Sequence, residues 1–77
     1  MSEKKNYFNG TEKELLKYIE KQIVSRYGVE NAIAQKFAKH LFDQIEAHGG
    51  NPFNLNQTHS TIEVVVRNWV DNLDSKP

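Results

Sequence analysis

The sequence predicts an all-α domain of three helices. Three observations carry that reading. Apolar residues recur three and four apart over three stretches, the period of one helix face. Gly28 and the pair Gly49-Gly50 separate those stretches, and glycine suits the left-handed conformation in which helices end. A hydroxyl residue followed three positions on by glutamate stands at the start of the first stretch and again at the third.

Residues 1–10 read as a flexible lead, with Tyr7 and Phe8 free to dock on the core. The first helix is predicted over residues 11–27. Thr11 and Glu14 form its capping box, each side chain serving the other's backbone N–H. Its stripe is Leu15, Leu16, Ile19, Ile23, Val24 and Tyr27. The second helix runs over about residues 30–48. Alanines 34 and 38 alternate there with Phe37, Leu41, Phe42 and Ile45, which implies close approach of another helix. Lys36, Lys39, Asp43 and Glu46 fall on its solvated side. The third helix is expected to be capped at Ser60, with Glu63 completing the box and Thr58 as the competing cap. Val64-Val65-Val66 favours strand by composition. The stripe Ile62, Val65, Val66, Trp69, Val70 and Leu73 runs for three turns and decides for helix. Residues 11–74 thus form one domain and residues 75–77 fray. Its expected buried anchors are Phe37, Leu41, Phe42, Ile45, Val66, Trp69 and Val70.

Phe53 and Leu55 join none of these stripes. They lie among amide side chains in the loop between the second and third helices. Two roles fit them. They can plug the core, or Phe53-Asn54-Leu55 can form a short β segment. An isolated strand leaves its backbone unpaired, so the second role needs the same segment of another copy across a two-fold axis.

Size makes a second copy plausible on physical grounds. A chain of 77 residues allows one domain, and a core that small leaves only ~3–5 kcal/mol of net stability. Cysteine is absent, so no disulfide adds to it; oligomerisation remains. Ten basic residues balance ten acidic ones, which argues against a strongly basic polyanion binder. The balance is uneven along the chain. Residues 1–40 carry eight basic and five acidic residues, residues 41–77 two and five, and such a dipole suits self-association. No apolar run approaches the ~20 residues of a membrane span. The polar start MSEKKNYFNG has no signal-peptide core, so the expected location is the cytoplasm and no membrane partner is expected.

The residues offer little chemistry. His40, His48 and His59 lack the spacing that sets two imidazoles on one metal. No serine sits in a nucleophile elbow, and Gly49-Gly50 is no phosphate loop. Neither enzyme activity nor a cofactor or metal is expected. Lys13, Lys17 and Lys21 share a helix face at four-residue spacing and could touch phosphates.

The pieces "SRYGVENAIAQKFAKHLFDQIEAHGGNPFNLN" and "STIEVVVRNWVDNL" give an order of elements. It runs helix, longer helix, glycine pair, short apolar alternation, then a helix with tryptophan. That order resembles the N-terminal dimerisation region of the Mor family of phage middle-gene transcription activators, over about residues 15–73. The resemblance implies an intertwined dimer in which Phe53-Asn54-Leu55 is the strand paired across the two-fold axis. The family's DNA-reading helix-turn-helix has no counterpart in these pieces, so no DNA contact is carried over.

The expected function is therefore a small, non-enzymatic protein-interaction or regulatory module acting as a homodimer and phage-like in origin. Another protein is the expected partner, and the interface is expected at Phe53, Leu55, Phe42, Ile45 and Trp69. Two alternatives stand beside it. One is a nucleic-acid-binding transcriptional regulator using the lysine row. The other is a small inhibitor of a host enzyme.

Overall fold

The computed structural model describes residues 7–74. The expected flexibility of residues 1–6 and fraying of residues 75–77 lie outside the described residues. Three helices form the described chain: α1 over Glu12–Tyr27, α2 over Asn31–Ala47, and α3 over residues 55–74.

α1 begins as its capping box requires. Thr11 Oγ1 accepts from the Glu14 N–H at 3.2 Å, and Glu14 Oε1 accepts from the Thr11 N–H at 2.9 Å. Two of the helix's orphan donors are satisfied in this way. α1 ends at Gly28, whose φ of 68° places it in the left-handed region while its N–H donates to Val24 O. Leu15, Ile19 and Ile23, spaced by four, are fully buried. A short connection turns the chain into α2, which buries Ala34, Ala38, Leu41, Phe42 and Ile45. The two small alanines let the helices approach closely. α2 ends in two reverse hydrogen bonds, Gly49 N–H to Glu46 O and Gly50 N–H to Ile45 O, with Gly49 at φ 82°. That pair satisfies carbonyls that the helix end would otherwise leave bare.

α3 departs from expectation in where it starts. It begins at Leu55, ahead of Ser60 and Thr58. Asn54 is the cap: its Oδ1 accepts from the Asn56 N–H at 3.1 Å and the Gln57 N–H at 3.3 Å. Asparagine is among the strongest capping residues, and it occurs upstream, so Ser60 falls inside the helix and its capping box does not form. Thr58 is no cap either. It is fully buried and donates to Pro52 O at 2.6 Å.

α3 also changes its pitch. An α-helical part, Leu55–Thr61, leads into a π-helical stretch, Ile62–Val66, and α-helix resumes over Arg67–Asp74. The Arg67 N–H reaches back to Ile62 O, the longer bond that marks the widened turn. The β-branched run of Thr61, Ile62, Val64, Val65 and Val66 crowds the preceding turn. Thr61 Oγ1 also back-bonds to Gln57 O at 2.7 Å, a contact that tends to bend helices.

The core gathers the three buried rows: Leu15, Ile19 and Ile23 from α1, the α2 row, and Ile62 and Val66 from α3. Four of the seven expected anchors, Leu41, Phe42, Ile45 and Val66, are buried. The other three, Phe37, Trp69 and Val70, pack against the core but are only partly buried. Phe53 and Leu55 also pack against the core. Phe53 meets Phe42 edge-on at 6.2 Å and Phe8 at 6.4 Å, so within one chain it acts as a plug.

Candidate functional site

The lead is tied down by that plug. The Phe8 N–H donates to Phe53 O at 2.8 Å, and Tyr7 and Asn54 form an isolated antiparallel bridge. Phe8 then packs at a tilt against Tyr18, whose hydroxyl lies 3.0 Å from His59 Nε2. This aromatic clasp joins the N-terminal arm, α1 and α3. Each polar member has a partner within the chain, which gives it a structural role. The other backbone groups of Phe53 and Asn54 are bonded as well. The Phe53 N–H donates to Asn51 Oδ1, the Asn54 N–H to Asn51 O, and Asn54 O accepts from the Thr58 N–H.

The residues expected to meet a partner separate into distinct places. Phe42 and Ile45 are buried in the chain's own core, so the folded protomer does not present them. Phe53 and Leu55 are partly covered in the plug. Trp69 lies in a different setting. It packs against Phe37 at 5.1 Å and His40 at 5.0 Å, forming an aromatic corner where α3 passes α2. Val65, Trp69 and Leu73, four apart, form a row beside the core-facing row of α3. This flanking row is open: Val65 and Trp69 are half-buried, and Leu73 is 44% exposed. Val64, 72% exposed, stands next to it.

A groove of ≈ 730 Å³ runs between α1 and α2 and adjoins the corner at His40. The lysine row divides between this groove and a second one. Lys13 and Lys17 line the first from α1, with Leu16 and Glu20. Lys36, Lys39, His40 and Asp43 line it from α2, with Gln35 and Ala38 between. Lys21 lines a second groove of ≈ 470 Å³ with Val24, Ser25 and Asn31, and Lys17 and Glu20 belong to both. The sequence reading left Lys36 and Lys39 on a solvated face. The signal it passed over is that Leu16 and Val24 lie one position off the Leu15–Ile19–Ile23 row. Both are half-buried, and the two grooves they line hold no residue of α3.

Among the described residues, no three His, Asp or Glu side chains converge as a metal-holding group. His40 is in the aromatic corner, His48 closes α2, and His59 is in the clasp. No described helix is long and apolar enough to cross a membrane. No protein-family model, curated protein or solved structure matches the chain.

Proposed function

We propose that this domain is a non-catalytic protein-interaction module that works as a two-fold dimer in a regulatory setting of the phage or mobile-element kind. The observation that carries the reading is the open row of α3 beside the aromatic corner. After the core is filled, Val65, Trp69 and Leu73 still present apolar surface next to Phe37 of α2. Aromatic residues in such positions are the usual anchors of protein interfaces. A domain this small also gains most from burying them against a copy of itself.

The Mor-like order of elements supports a dimer and suggested the Phe53–Leu55 strand as its seam. The hydrogen bonds of Phe53 and Asn54 weigh against that seam, since pairing across a two-fold axis would break them. We therefore assign the seam to α3. Sedimentation at micromolar concentration tests it: a species of twice the 8.9 kDa chain mass is expected, and a lone monomer refutes the reading. Leu73→Asp is expected to weaken association with little effect on melting. Leu55→Asp is expected to lower melting instead, because Leu55 packs on the core. The reverse outcome would return the interface to the loop.

A further inference from the structure

We infer that the groove between α1 and α2 docks an acidic amphipathic helix of a second protein. The inference rests on reading the domain as a protein-interaction module, but not on its self-association, which is assigned to the α3 row; the two places adjoin at His40. Four lysines border the groove, Lys13 and Lys17 on α1 and Lys36 and Lys39 on α2, against two carboxylates, Glu20 and Asp43. None of these lysines closes an ion pair with either carboxylate. Four lysines against two carboxylates leave the lining with an excess of two positive charges, in a chain with no net charge.

The floor decides what kind of anion fits. Leu16 is half-buried at the base and Ala38 is buried, and Val24 continues the apolar strip into the adjoining groove. The two grooves share Lys17 and Glu20, so together they follow α1 from Lys13 to Ser25. At 1.5 Å per residue that length is about 18 Å, or roughly three turns of an incoming helix. The lysine stems add apolar wall while their ammonium groups stay in water. An incoming helix would lay its apolar stripe on the half-buried Leu16 and Val24 and turn flanking carboxylates to the lysines. A phosphate backbone is the poorer match. It makes no use of an apolar floor, and Glu20 and Asp43 repel it. Arginine, which pairs with phosphate through two parallel hydrogen bonds, is absent from the groove lining.

The test is fluorescence anisotropy with the full chain. The probes are a small set of labelled peptides of about 15 residues, long enough for partial helix. They carry glutamates around a stripe of leucine, phenylalanine or tryptophan. Scrambled versions of equal charge, and single- and double-stranded DNA, are the controls. At least one amphipathic peptide is expected to bind at micromolar concentration. The double variant Lys17→Glu/Lys39→Glu is expected to weaken it by about tenfold or more, which corresponds to ~1.4 kcal/mol. Both positions are exposed, and an unchanged melting curve shows the fold is kept. The scrambled peptides are expected to bind markedly less. The proposal is overturned if no amphipathic peptide binds, if scrambled peptides bind equally, if the double variant binds as well as the wild type, or if DNA binds and the peptides do not. Sedimentation of the same double variant separates this result from the dimer: self-association is expected to persist whatever the peptides do, and Leu73→Asp is expected to leave peptide binding intact.

Discussion

Thr58 has lost contact with water, and its hydroxyl holds the loop to the helix. It donates to Pro52 O at 2.6 Å in a site where neither residue is solvated. Replacing it with valine keeps the volume but leaves the proline carbonyl buried without a donor. Thr58→Val is therefore expected to destabilise the domain by about 1–3 kcal/mol, the cost of an unsatisfied buried group. Asn54→Ala removes the cap of α3 and is expected to cost about 1 kcal/mol. Urea unfolding followed by circular dichroism measures both, and Thr58→Val should be the larger loss. These two residues also show what sequence hides at this scale. Thr11 could be read as a cap because glutamate follows it at the distance a capping box requires. At the third helix Asn54, Thr58 and Ser60 all offered capping chemistry. The choice turned on Pro52 and the glycine turn of α2, which bring the chain back early and leave Thr58 facing the core.

At the scale of elements, the rows explain the pitch of α3. Thr58, Ile62, Val66 and Val70 stand at a strict four-residue spacing along the face that meets α1 and α2. In an α-helix of 3.6 residues per turn, each such step drifts by about 40° around the axis. Three steps would carry Val70 well off the core side. The widened turns over Ile62–Val66 offset part of that drift and keep the row together. Deleting Val64, which is mostly exposed, would change the row's spacing to four, three, four, the pattern that follows a helix face without widening. The shortened chain is expected to fold cooperatively with a melting temperature close to the parent's. Deleting Lys21 is the control, because it would rotate Ile23 and the end of α1 by about 100° out of the core. That variant is expected to lose its cooperative transition. Helix identity was legible in the stripes of α1 and α2, which obey the ordinary period. The π stretch was not, since three valines in a row signal crowding without saying how the backbone relieves it.

For the whole molecule, the question is how one small core supports two outward surfaces. The uneven charge along the sequence anticipated that the halves would differ. It did not show that α1 and α2 pool their lysines in one groove, because that depends on how two helices face each other. Nor could the stripe of α3 reveal that it contains two rows. One is covered by the core and the other is open at Trp69 and Leu73. Trp69 is the chain's single tryptophan, so its emission reports on the open row alone. If two copies meet there, dilution uncovers the indole and the emission shifts to the red as dimer becomes monomer. The midpoint of that shift should match the dissociation constant from sedimentation. Leu73→Asp should hold the spectrum at its dilute limit across the concentration range. Lys17→Glu/Lys39→Glu should leave the dilution curve where it was, since those lysines lie in the groove. An emission independent of concentration in the wild type would mean that Trp69 meets only Phe37 and His40 of its own chain, and the corner would then be a local contact with no second copy upon it.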